Sequence, residues 1–158
     1  MSDNPKPNIF LSYSWANSNV ADEIDKNFES IGIQFKRDIR DAEYRKSIKE
    51  FMQQIGQSDY VLMIISNEYL KSENCMYEVT ELLNTHEFEE RILPIVLDNA
   101  RSIFKSVNRV DYYDYWKDKL KEAERLKRKH SNLDYVENVK KIASINNCLD
   151  TFFQKSLI

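Results

Sequence analysis

Tyr60-Val61-Leu62-Met63-Ile64-Ile65 is the most apolar run in the chain, and Ser66 follows it at once. The run has no polar alternation, as expected of a strand in the middle of a parallel sheet with both faces covered. Upstream, Ile9-Phe10-Leu11 is a shorter apolar run that stops at the hydroxyl-bearing Ser12-Tyr13-Ser14. Between the two, Val20, Ala21, Ile24, Phe28 and Ile31 recur at helical spacing, with Asn17 or Ser18 placed to cap and Asp22 and Glu23 in the first turn. Gly32 stands where the end of that helix calls for a left-handed residue. Ile33-Gln34-Phe35-Lys36 alternates as a half-buried strand does. Arg37 to Arg45 is charged and aperiodic, a surface loop. Ile48, Phe51, Met52 and Ile55 then mark a one-faced helix ending near Gly56.

Downstream of the central run, the loop from Asn67 to Asn74 leads into a helix with the stripe Cys75, Val79, Leu82, Leu83 and His86, and Ser72 is placed as its N-cap. Ile92-Leu93-Pro94-Ile95-Val96-Leu97 is a further strand, and Pro94, which offers no ladder donor, moves it toward an edge or marks the start of a strand. Strands alternating with helices imply right-handed βαβ units, hence a doubly wound parallel sheet with helices on both faces. The remainder differs. Val107 to Tyr113 is expected as a short fifth strand, followed by one helix through Trp116, Leu120, Ala123 and Leu126 and another through Val139, Ile142, Ile145, Leu149, Phe152 and Phe153. The whole of 1–158 reads as one domain: a loose leader over 1–7, core βα units over 8–97, and the fifth strand with C-terminal helices over 98–158.

Composition excludes several classes of function. Two Gly in 158 residues cannot build a Gly-rich phosphate loop. A net charge of −3 with mixed signs gives no global pull toward nucleic acid or an anionic membrane, so neither is expected as a partner. Cys75 and Cys148 lack metal-ligand spacing and read as reduced, buried thiols. The N-terminus has no apolar signal segment and no run approaches the ~20 residues of a membrane span, so a cytoplasmic location is expected.

Three strings, taken together, resemble one family. Ile9-Phe10-Leu11-Ser12-Tyr13-Ser14 is similar to the first box of TIR (Toll/interleukin-1 receptor-like) domains, a strand ending in Ser-Tyr. Asp38 opens the loop after the second strand, where the family's interface loop begins. Ile64 to Glu78 (IISNEYLKSENCMYE) resembles the strand, loop and helix that hold the family's acidic residue. Order and spacing match over about residues 8–97, closest to bacterial modules. The resemblance implies a flavodoxin-like sheet in the order 2-1-3-4-5. It also implies assembly with itself or other TIR domains, in immune, defence or toxin signalling. Some members are non-enzymatic adaptors. Others, when clustered, cleave NAD at the nicotinamide–ribose bond with a Glu corresponding to Glu78. NAD is then substrate, and no cofactor or metal is implied.

The site expected on this basis has Glu78 as its catalytic residue and Ser12, Tyr13, Ser14, Trp15, Arg37, Ser66 and Cys75 against the substrate. Asp38, Arg40, Asp41, Tyr44 and Arg45 form the interface loop. The placement has a physical rationale, because ligands of doubly wound sheets sit beyond the strands' carboxyl ends at the order reversal. A carboxylate there stabilises positive charge developing on ribose. On residue type alone Glu78 reads as a solvated glutamate on a helix flank. Cleaving members carry Trp before the Cys, where this chain has Asn74, and the interface loop's Gly has no counterpart between Arg37 and Ser47. A phosphotransfer receiver shares the fold but needs acids where Ser12-Tyr13-Ser14 and Ser66 stand, and is excluded.

Overall fold

The computed structural model describes residues 6–37, 57–85 and 87–157. Residues 1–5 of the leader, the segment 38–56 with its expected loop and helix, and His86 lie outside the described residues. β1 (Ile9–Ser12), β2 (Phe35–Arg37), β3 (Tyr60–Ile65) and β4 (Ile92–Val96) form one four-stranded sheet. All pairings are parallel, and the order is β2-β1-β3-β4. The expected order therefore holds for these strands, and the reversal of strand order falls between β1 and β3.

The two faces of the sheet divide by simple alternation. Leu11, Leu62 and Ile64 point to one face, where Ala21 of α1 (Ser18–Glu29) covers them. Phe10, Val61, Met63 and Ile65 point to the other face and join Met76, Val79 and Leu82 of α3 (Glu73–Leu83). A four-residue helix, α2 (Asn67–Leu70), precedes α3, and another, α4 (Phe88–Arg91), precedes β4. β3 is buried from Val61 to Ile65, so its unbroken apolar run is explained by cover on both sides.

Pro94 sits on the edge strand as expected, and its orientation shows why it is tolerated. The Leu97 N–H donates to the Ile65 carbonyl at 2.9 Å, so Leu97, Ile95 and Leu93 face β3 by alternation. Pro94 then faces away, where no ladder donor is missed. Gly32 closes α1 as read. The Ile33 N–H donates to Phe28 O at 2.9 Å and the Gly32 N–H to Glu29 O at 3.0 Å, the paired bonds of a Schellman end, with φ +83° at Gly32.

The fifth strand is a correction. Residues 106–109 form a 3₁₀ turn and α5 runs from Val110 to Lys129, so Val107 to Tyr113 is helical. The β-branched and aromatic residues there suggested a strand, but the burial has helical period. Tyr112 and Trp116 are buried one turn apart, while Val107 is 73% exposed and offers a strand nothing to bury. α6 (Leu133–Ser156) returns along α5 and lays Ile142, Ile145, Leu149, Phe152 and Phe153 into the same core as α3. α6 packs on α3, and α5 packs on α6. Trp116 locks α5 to the strand-loop-helix, donating its indole N–H to Leu70 O at 2.9 Å.

Candidate active site

Polar groups gather where β1 and β3 end. Ser66 follows β3 and caps α2, its Oγ accepting from the Tyr69 N–H at 3.0 Å and donating to Asn17 Oδ1 at 2.5 Å. Asn17 therefore stands at the N-cap position of α1 without capping it, because its side chain turns to Ser66 instead. The same short turn folds Tyr69 back over the sheet. Its hydroxyl lies 2.8 Å from Ser12 Oγ at the end of β1, with both residues buried. Burial drives the Tyr69 phenol well above its ordinary range, and the neighbouring Cys75 and Glu78 add to the rise.

Glu78 is on the inner face of α3. Ser72 caps this helix as expected, accepting from the Cys75 N–H at 3.2 Å. From that start Cys75, Glu78, Val79 and Leu82 fall on one buried side, and Glu78 is only 3% exposed. The solvated-flank reading of this glutamate is overturned. Cys75 Sγ donates to Tyr13 O at 3.7 Å, tying the first turn of α3 to the segment just after β1. Ser12, Tyr13, Ser66, Cys75 and Glu78 thus gather, mostly buried, around Tyr69 and the carboxyl ends of β1 and β3.

The other expected site residues sit around this cluster. Arg37 ends β2 and donates to Tyr13 Oη at 2.9 Å, its guanidinium 4.9 Å from the tyrosine ring centre. It also pairs with Asp22 at 2.6 Å and Asp25 at 3.5 Å on α1. Asp22 is therefore past the first turn of its helix and serves an ion pair there. Ser14 precedes a 3₁₀ turn (Trp15–Asn17), and Trp15 is 53% exposed. Asn74 is taken up by Lys141 of α6, whose ammonium is 3.1 Å from its Oδ1. Asp38, Arg40, Asp41, Tyr44 and Arg45 lie outside the described residues.

Sequence reading missed the partners that hold the site together. Tyr69, Asn99 and Tyr112 are not singled out by the sequence, and Asn17 is read there only as a helix cap. Asn99 accepts from the Asn67 N–H at 3.0 Å and its amide donates to both oxygens of Glu68, whose pKa is lowered first by its own backbone hydrogen bond and then by Asn99. Tyr112 donates to Asn67 Oδ1 at 2.8 Å. Only Tyr69 carried a usable signal, an aromatic just after a strand end in the quoted string. Cys75 and Cys148 are free thiols, and burial pushes Cys148 up to about 11. Among the described residues no His/Cys/Asp/Glu cluster could hold a metal, and no helix is long and apolar enough to cross a membrane.

A doubly wound α/β domain with a buried carboxylate at its topological switch point defines the class. The chain belongs to the TIR domain family, whose model matches residues 9–128. Its fold is similar to that of the TIR domains in the activated Roq1 resistosome directly recognizing the pathogen effector XopQ. The TM-score is 0.59 at 18% identity, over 92% of this chain and 84% of that one. No protein of curated function matches the sequence.

Proposed function

We propose that this TIR domain assembles with itself or other TIR domains in the cytoplasm and, once assembled, hydrolyses NAD at the nicotinamide–ribose bond, as an effector in immune, defence or toxin signalling. The observation that carries this reading is the Glu78 carboxylate, 3% exposed and near enough to the Ser12-bonded Tyr69 phenol to help raise its pKa. Nicotinamide in NAD is a cationic leaving group. When the C–N bond breaks, the electron pair goes to the ring nitrogen and the positive charge moves to the ribose. A carboxylate about 4 Å from that charge is worth ~4 kcal/mol at an effective dielectric of 20, or about a thousandfold in rate. Water then adds to the ribose and gives up its proton, leaving ADP-ribose; attack by the adenine instead gives a cyclic product. Ser12, Tyr13 and Ser66 supply hydroxyls to the site, with Ser14, Trp15 and Cys75 at its margin. Near-complete burial of Glu78 in one copy supports dependence on assembly, since the site must open before substrate reaches it. The neighbour's own setting, an activated resistosome, also supports assembly.

The test is nicotinamide release across a protein concentration series. Release should rise faster than linearly, and Glu78→Gln should reduce it by at least about a hundredfold at every concentration. Linear release, or release unchanged in the variant, counts against it.

A second reading, a non-enzymatic TIR scaffold, is favoured by Asn74. This position is Trp in cleaving members, and here its amide is bound to Lys141, so no aromatic wall is contributed. Assembly with no release, and a silent Glu78→Gln, would establish the scaffold.

A further inference from the structure

The α5–α6 hairpin ends in a basic tip that the site chemistry does not use. Arg125, Lys127, Arg128 and Lys129 crowd the last turn of α5, with no acid between 125 and 133. Arg125 is spent on Glu122 at 2.7 Å, whereas Lys127, Arg128 and Lys129 are exposed and make no ion pair among the described residues. The tip projects beyond the core: the last buried residue of α5 is Ala123 and the first of α6 is Ile142. It is also well built. The His130 N–H closes α5 on Leu126 O at 2.8 Å, Asn132 Oδ1 caps α6, and the His130 ring stacks on Tyr135 at 5.5 Å. Asp134 and Glu137 at the start of α6 are offset by Lys140 and Lys141, so the tip keeps its positive sign.

Beside the opposite end of α6, whose own last turn carries Lys155, lies an acid-rich turn. Glu87, Glu89 and Glu90 are exposed on the turn into β4, which Phe88 anchors in the core. Lys155, in the last turn of α6, meets Glu89 at 3.5 Å and so fixes where this turn lies. Glu87 is held at φ +62°, and its carbonyl accepts from the Glu90 and Arg91 N–H groups at 3.1 Å each. Arg91 turns inward and donates to Ser58 O at 2.9 Å, leaving the acids outermost. The 24 residues of α6 separate the two ends by roughly 36 Å at 1.5 Å per residue.

We propose that Lys127, Arg128 and Lys129 of one copy dock on Glu87, Glu89 and Glu90 of the next, so that copies add head to tail along the direction of α6. This rests on the assembly half of the function proposed above and is independent of NAD cleavage. A contact between two different surfaces repeats without closing on itself, giving a ring or an open filament.

The experiment is sedimentation and light scattering of wild type, a tip-reversed variant (Lys127→Glu, Arg128→Glu, Lys129→Glu) and an end-reversed variant (Glu87→Lys, Glu89→Lys, Glu90→Lys). Circular dichroism melts serve as the folding control. Each variant alone carries two like-charged ends and should associate at least about tenfold more weakly than wild type. An equimolar mixture again pairs opposite ends and should restore association. Assembly that survives both reversals, or folded variants whose mixture does not associate, overturns this contact and leaves self-assembly standing. A wild type and a mixture that are monomeric at every concentration overturn self-assembly itself. If the tip instead binds anionic vesicles or duplex nucleic acid while reversal leaves self-association intact, the tip serves another partner and the proposal fails.

Discussion

At the scale of single residues, the site depends on groups whose partners are far away in sequence. Tyr69 and Ser12 are 57 positions apart and share a buried hydrogen bond of 2.8 Å. Tyr69→Phe removes one hydroxyl and leaves Ser12 buried without this partner, so a loss of about 1–2 kcal/mol is expected in urea unfolding at neutral pH. The same substitution should alter the alkaline limb. The folded phenol keeps its proton above the unfolded value of about 10, so the folded state binds more protons there and stability falls as pH rises past 10. That fall should be shallower in Tyr69→Phe, and an equal fall in both proteins would place the alkaline loss elsewhere. This dependence on distant partners also limits what sequence could reveal. Glu78 was picked out by its place in a family-like string, but its burial was not legible. At 100° per residue it flanks the stripe of Cys75, Val79 and Leu82, and only the cover given to α3 by the core and by α6 decides which side of that margin it takes.

At the scale of elements, legibility followed the number of interpretations a pattern allowed. The run from Tyr60 to Ile65 and the run from Ile9 had no helical reading of comparable quality, and both are strands. Ser72 and Gly32 were read from local chemistry alone, and both act as read, since a cap needs only its own turn. Val107 to Tyr113 was ambiguous because valines and tyrosines suit a strand by propensity. The choice of helix is made by Tyr112 and Trp116 finding the core together, a tertiary event that overrides propensity. The end of α1 offers a clean test. Gly32→Ala puts a side chain at φ +83°, with its Cβ 3.2 Å from the Lys6 ammonium, which bonds Gly32 O at 2.9 Å. Lys6 can move aside, so the backbone strain should dominate and cost about 1–2 kcal/mol. Gly32→Asn, which tolerates the left-handed region better, should recover part of the loss in thermal melts. An Ala variant as stable as wild type would mean that the Schellman end contributes little.

At the scale of the whole molecule, the weak net charge of −3 conceals an uneven distribution, and that distribution links the two proposals. If cleavage requires neighbours, and neighbours are held by charge between the hairpin tip and the Glu87 to Glu90 turn, then salt should govern activity through assembly. Raising ionic strength from about 0.1 to 1 M shortens the Debye length from about 10 to 3 Å, which screens exposed pairs but leaves the buried Glu78 much less affected. Nicotinamide release per subunit, measured at saturating NAD so that weaker substrate binding does not enter, should therefore fall together with the sedimenting fraction. At low salt the equimolar mixture of tip-reversed and end-reversed variants should be active where each alone is not. Glu78→Gln should sediment as wild type does while releasing nothing. Activity that persists in a fully dissociated sample would separate catalysis from assembly. Release lost with salt while the assembled fraction is unchanged would instead locate the salt-sensitive step at the site, where the partly exposed Arg37, paired with Asp22 and Asp25, bonds Tyr13.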